Sequence, residues 1–168
     1  MAYLENILGA FALTLADRLN SRLQSKSGRS EGGTIALNQI ASRHNPTIDD
    51  LRSSLAVETH SAATRVVARL EADDLITKTK SGTDSRFTHL ALTPKGKAVR
   101  KSILREKQSF LSDCLSVLNA EERLALEQLM QKMLASMEFD EAGCDRTCRL
   151  CDTRTCQHPQ CPVQINTD

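Results

Sequence analysis

A chain of 168 residues with 40% hydrophobic and 26% charged side chains has the size and balance of one domain able to bury a real core. No stretch approaches the roughly eighteen apolar residues of a membrane span, and the opening MAYLENILGAFALTLADRL has no basic run ahead of its apolar part, so the expectation is a cytoplasmic protein. The formal net charge of +1 conceals an asymmetry: residues 76–107 hold nine Lys/Arg against Asp84 and Glu106, whereas residues 108–168 hold five basic against ten acidic side chains. A basic patch confined to one region suits a polyanionic partner, with an ordinary solvated face as the plainer alternative.

Leu4, Ile7, Leu8, Phe11, Leu15, Leu19 and Leu23 recur at threes and fours, which predicts an amphipathic helix over residues 3–23. The Ser-, Gly- and Lys-rich segment 24–33 reads as a loop, and a short helix is expected from Thr34 to about His44, ended by Asn45-Pro46. Thr47 is an N-cap candidate with Asp49 and Asp50 in the first turn, opening a third helix whose buried side carries Ile48, Leu51 and Leu55. A fourth helix opens at Glu58 or Thr59 and turns Ala63, Val66, Val67 and Leu70 inward. Its outward side shows His60, Ser61, Thr64, Arg65 and Arg69. Short polar side chains and an arginine on such a face have the reach and the donors and acceptors that reading base edges requires; the plainer reading is an exposed helix face.

Alternating branched and polar residues at 76–80 and 86–93 flank Ser81-Gly82-Thr83-Asp84-Ser85, predicting a hairpin. Phe87, His89 and Ala91 should point to one side of it and Arg86, Thr88, Leu90 and Leu92 to the other. Thr93-Pro94 starts a long helix through Val99, Ile103, Phe110, Leu111, Cys114, Leu115 and Leu118, with Cys114 expected to pack in the core. Asn119, followed by Glu121 and Glu122, caps a last helix bearing Leu126, Leu129, Met130, Met133, Leu134 and Met137. The terminal helices carry more apolar surface than so slim a unit can hide, so a dimerisation layer is expected. A two-fold dimer would present two reading helices to a pseudo-palindromic duplex site.

With these elements in place, the chain resembles the MarR family of winged-helix transcriptional regulators, over roughly Tyr3 to Met137. The segment ATRVVARLEADDLITK is similar to the family's recognition helix running into the first wing strand. The segment DSRFTHLALTPKG is similar to its D-x-R wing followed by an L-T-x-x-G helix entry. The resemblance implies a mainly α fold with a small β-wing and a dimerisation layer from the N- and C-terminal helices. It implies a homodimer on double-stranded DNA, with Ser61, Thr64 and Arg65 in the major groove, Arg86 reaching the minor groove and Asp84 bracing the loop. A narrow minor groove draws an arginine through its enhanced negative potential, and an ion pair between Arg86 and Asp84 is compatible with that. The candidate DNA-binding residues are thus Thr59, His60, Ser61, Thr64, Arg65, Arg69, Lys78, Lys80, Asp84 and Arg86. The tip Ser81-Gly82-Thr83 is poorly charged for such a wing, leaving phosphate contact to Lys78, Lys80 and Lys95. The domain division is 1–139, with a DNA-binding core at 34–97 and dimerisation helices at 3–23 and 94–138, followed by a separate tail at 140–168. Ligands of the family are often small aromatics held between the dimer layer and the winged helix, so a small-molecule effector is a further expectation, although no residue here names one.

The tail is another matter. Five of six cysteines, Cys144, Cys148, Cys151, Cys156 and Cys161, follow one another as C-x3-C-x2-C-x4-C-x4-C. In a cytosolic chain such density points to metal ligands or redox thiols rather than structural disulfides. Tetrahedral zinc would use a C-x2-C and a C-x4-C pair, with His158 as a substitute ligand. An iron–sulfur cluster would use the C-x3-C-x2-C run, and a metal-free thiol switch is the third possibility. Arg146, Arg149 and Arg154 interleave the thiols, where they would lower thiol pKa or offset a cluster's charge.

Three function classes follow. The first is a dimeric DNA-binding transcriptional regulator, a repressor by expectation, with a metal or redox module that alters the spacing of its reading helices. The second is a zinc- or cluster-carrying scaffold that uses the winged helix for protein contacts. An enzyme is third and weakest, because the four histidines are scattered and no nucleophile elbow or phosphate-cradling loop is present.

Overall fold

The computed structural model describes residues 2–55, 59–80, 88–152 and 161–163. Seven helices and one two-stranded ribbon are found among them: α1 (Ala2–Ser27), α2 (Glu31–Ser42), α3 (Ile48–Leu55), α4 (His60–Ala72), β1 (Ile76–Lys80), β2 (Thr88–Leu92), α5 (Pro94–Leu115), α6 (Ala120–Ala135) and α7 (Glu141–Thr147). The mainly helical architecture with a small antiparallel wing is the one expected. The core is a single cluster in which Leu23 of α1, Ile35, Leu37 and Ile40 of α2, Leu51 and Leu55 of α3, Val67 and Leu70 of α4, Ile76 and Leu90 of the ribbon and Ile103 of α5 meet.

The first correction lies at 24–33. What composition marks as a loop is mostly helix: α1 runs to Ser27, Gly28 takes φ +63° as its amide returns to the Gln24 carbonyl (2.9 Å), and α2 begins at Glu31. Ser30 is the cap, its hydroxyl accepting from the Gly33 amide at 3.3 Å, so the second helix starts three residues earlier than Thr34.

Caps also set the next starts. Thr47 and Asp50 cap α3 reciprocally, with the Thr47 amide donating to Asp50 Oδ2 at 2.7 Å and the Asp50 amide to Thr47 Oγ1 at 3.4 Å. Thr59 caps α4 and Thr93 caps α5 with Pro94 in its first turn. Asn119 and Glu122 form a full capping box on α6. Helix α4 ends in a left-handed residue, Asp74 (φ +58°), with its amide to the Glu71 carbonyl and the Leu75 amide to the Leu70 carbonyl, both 2.9 Å.

The ribbon pairs Ile76 with Leu92 through Lys80 with Thr88. Leu90 faces the core and Ala91 the solvent, as the alternation predicts. The Asn45–Pro46 connection lies alongside: the Leu90 amide donates to the Pro46 carbonyl at 2.8 Å, and His89 Nδ1 lies 2.8 Å from the Asn45 carbonyl. That extra edge ties the wing to the end of α2.

Helix α1 packs along α5, where Arg22 Nε meets Glu106 at 3.1 Å and the Arg22 guanidinium stands 5.6 Å from the Phe110 ring centre. Within one chain most of α1 is exposed and α6 buries nothing: Tyr3, Leu4, Phe11, Leu124 and Leu129 all face outward. Cys114, expected in the core, is exposed as well, because that stretch of α5 runs beyond the core cluster.

Candidate nucleic-acid interface and cysteine segment

Helices α3 and α4 pack through Leu51, Leu55, Ala63 and Val67, all in the core, which leaves the opposite side of α4 to solvent. Thr59, His60, Ser61, Arg65 and Arg69 are exposed and Thr64 half-buried. Four of these carry prior engagements, one of them Ser61, whose Oγ lies 3.1 Å from Thr59 Oγ1. Thr59 Oγ1 accepts from the Ala62 amide at 3.3 Å, so its role is first that of a cap, and Thr64 Oγ1 donates to the His60 carbonyl at 2.9 Å. The Thr64 hydroxyl proton is thereby held within the helix, and the side chain offers a partner its methyl group and acceptor lone pairs. His60 Nδ1 lies 2.9 Å from Asp49 Oδ1 of α3, which locks the start of α4 to its neighbour and leaves Nε2 as the ring atom available outward. Arg65 and Arg69, together with the exposed Ser61, form the face, beside a helix N-terminus whose dipole favours phosphate.

The wing places Lys80 in solvent, but Lys78 is held by Glu71 (Nζ–Oε2 2.7 Å) and Lys95 Nζ donates to the Asp73 carbonyl at 2.7 Å. Farther along, Arg100 Nε donates to Asn38 Oδ1 at 3.0 Å and Lys107 Nζ to the Leu150 carbonyl at 2.8 Å. Basic residues clustered in sequence thus divide between an outer face and internal bonds. Asp84 and Arg86, with the tip 81–85, lie outside the described residues. At the junction of α2, β2 and α5 a cavity of about 460 Å³ is lined by residues including His44, Pro46, Leu92, Lys97 and Arg100.

The cysteine segment does not hang from α6. It begins with α7, capped by Asp140, and folds back onto α2 and α3. Asn38 Nδ2 donates to the carbonyls of Arg149 (3.1 Å) and Cys151 (3.0 Å), and Gln39 Nε2 to that of Arg149 (3.1 Å). Asp145 is gripped by Arg43 (Nη2–Oδ1 2.5 Å) and by the Ser53 hydroxyl (2.5 Å). Burial opposes ionisation of Asp145, but the Arg43 and Ser53 hydrogen bonds and the Arg43 charge outweigh it and hold the carboxyl below its ordinary range. Leu150 packs on the core. Sequence reasoning missed this docking surface; its signal was the pair of amides in ALNQI, polar residues on a helix otherwise apolar.

The thiols of Cys144, Cys148, Cys151 and Cys161 are half-buried, whereas Cys156 and His158 lie outside the described residues. Cys144 opens α7's last turn, its carbonyl accepting from the Cys148 amide, whose own carbonyl accepts from the Cys151 amide, both at 2.9 Å. The Cys144 thiol is pushed up, first by burial and then by the charges of Asp145, Asp140 and Cys161. This corrects the expected effect of the arginines at Cys144, where burial and then the carboxylates raise the thiol: Arg149 Nη1 donates to the Arg146 carbonyl at 2.6 Å, Arg146 stands 3.9 Å from Asp140, and Arg154 lies outside the described residues. Among the described residues no three His, Cys, Asp or Glu side chains converge as a metal site. Negative charge around the Cys144 thiol, which resists ionisation, is what a bound cation would relieve.

Residues 34–96, from α2 to the entry of α5, match the winged helix DNA-binding domain. Over 140 residues the chain is 27% identical to the transcriptional repressor MprA of Escherichia coli, covering 81% of this chain and 80% of that one. Its fold is similar to that of a MarR family protein from Bacillus stearothermophilus (TM-score 0.68, 20% identity, 79% and 91% of the two chains). It is also similar to that of a mutant of S. aureus MepR bound to an oligodeoxyribonucleotide (TM-score 0.59, 18% identity, 80% and 96%). Residues 34–96 are therefore similar to a winged helix DNA-binding domain, and the relatives matched by the chain are named as transcription regulators. Among the described residues no helix is long and apolar enough to cross a membrane.

Proposed function

We propose that the chain is a MarR-type transcriptional repressor that binds pseudo-palindromic double-stranded DNA as a homodimer and is modulated by a metal, iron–sulfur or thiol site in its cysteine segment. The observation that carries the DNA-binding part is the exposed Ser61–Arg65–Arg69 face of α4, a helix at the centre of the segment that matches the winged helix domain. That a neighbour of similar fold is bound to an oligodeoxyribonucleotide supports DNA as the partner. The exposed apolar faces of α1 and α6 support the dimer. Four half-buried thiols, one of them, Cys144, in the field of Asp145 and Asp140, support the cysteine site.

Arg65 and Arg69 read or flank base edges in the major groove, the α4 N-terminus meets a phosphate, and Lys80 with Arg86 accompanies the adjacent groove. Fluorescence anisotropy with a duplex carrying an inverted repeat from the protein's own promoter region tests this. Binding is expected to fall steeply with salt, and Arg65→Ala with Arg86→Ala to remove most of it. Retained binding in the double variant sinks the contact mode. No duplex binding even at low ionic strength favours a protein-contact scaffold, a reading to which the internally held Lys78 and Lys95 lend support. An anaerobic visible spectrum with metal and sulfide analysis separates the chemistries of the tail: blue-region absorbance with sulfide means a cluster, and colourless protein with stoichiometric zinc means a zinc site.

A further inference from the structure

Three consecutive main-chain carbonyls, of Arg149, Leu150 and Cys151, are each taken by side chains of the winged helix unit: Asn38 and Gln39 from α2 and Lys107 from α5. One turn earlier Asp145 is held from α2's end by Arg43 and from α3 by Ser53. Asn38 is 1% exposed, with its carbonyl oxygen occupied by Arg100 while its amide serves the tail, so this is a built receptor in which every polar atom of a buried side chain has a partner. The recognition is of backbone shape and one carboxylate, and needs no thiol. The cysteines at 144, 148 and 151 are left to decide whether the segment keeps the shape that fits.

We propose that the cleft formed by α2, α3 and α5 is a docking surface for the chain's own segment 141–152, and that the docked segment fixes α3 beneath the reading helix. The route is short and continuous. Asp145 holds Ser53 on α3; four residues earlier on that helix Asp49 holds His60, the first residue of α4. Release of the segment frees one side of α3 and, through the Asp49–His60 contact, the position from which α4 enters a groove. This deepens the proposed function, resting on it only for what drives release, namely a change of ligation or oxidation state at the cysteines.

Hydrogen-exchange mass spectrometry on the full chain tests it, using protein as isolated, protein treated with reductant and chelator, and two variants, Ser53→Ala and Lys107→Met, that lie at the rim of the core. The expected result is that either variant speeds exchange about tenfold or more in both 141–152 and 48–55 while the α4–β1 core peptides keep their protection. Faster exchange in 141–152 with 48–55 unchanged overturns the proposal, since the segment would then be a passenger. Faster exchange everywhere in both variants overturns it too, because the bonds would be general stability and not a coupling. If the variants behave as expected and stripping the wild type changes neither region, docking stands and the cysteine site of the proposed function is what fails. If stripping reproduces the variants, both stand.

Discussion

Gly96 shows how one residue fixes the joint between wing and helix. A Cβ at that position would sit 2.0 Å from the Leu75 carbonyl oxygen, a backbone atom that cannot swing aside. Thr93 completes the joint: its amide donates to that same carbonyl at 3.0 Å, and its hydroxyl donates to the Asp74 carbonyl at 2.8 Å and accepts from the Gly96 amide at 3.0 Å. Gly96→Ala is therefore expected to destabilise the fold by about 2–4 kcal/mol, read as a lower urea midpoint at unchanged slope. Asp74 is the opposite case. It adopts a left-handed conformation that glycine takes without steric cost, so Asp74→Gly is expected to raise stability by roughly 0.5–1 kcal/mol in the same assay. The L-T-x-x-G string is legible as a helix entry, because threonine and proline act locally. The reason for its glycine is not, since the carbonyl it clears lies twenty-one residues back, at Leu75.

At the scale of elements, local chemistry predicts well and contacts between distant segments stay hidden. The caps at Thr47, Thr59, Thr93 and Asn119 and the in–out alternation of the ribbon follow from near neighbours, and they are found where expected. Composition overreads the break between α1 and α2 because Gly and Ser there serve as a stop and a cap, a role that it cannot tell from a loop. Helix α7 is too short for periodicity to reveal, and it lies against α3, with its Asp145 held by Arg43 at the end of α2. Asn38 and Gln39 allow a comparison. Asn38→Ala removes the bonds to the Cys151 carbonyl and from the Arg100 Nε at a buried position, whereas Gln39→Ala removes the bond from Arg43 Nε and one of two to the Arg149 carbonyl, which Asn38 still serves. The first is expected to cost about 2–4 kcal/mol and the second at most about half of that, measured as thermal midpoints under identical buffer and metal conditions.

For the whole molecule, the surface is the clearest guide. Leu4, Ile7, Leu8 and Phe11 of α1 and Leu129, Met130 and Met133 of α6 are all at least 41% exposed, more apolar surface on two helices than a lone chain usually leaves in water. A twofold pairing through them would cover it and set two α4 helices apart by a fixed distance. Light scattering after gel filtration is expected to give twice the chain mass, and Leu8→Glu with Phe11→Glu the single mass together with loss of tight duplex binding; a double variant that stays dimeric would move the interface elsewhere. The docked tail has a further consequence in time. Asn38 finds its last acceptor 113 residues downstream, at the Cys151 carbonyl. During synthesis from the N-terminus the winged helix unit can be complete while that acceptor is still inside the ribosome, with its buried amides turned to water. Every copy of the protein thus exists first in the undocked form, and reaches the docked one only as the segment carrying that acceptor emerges.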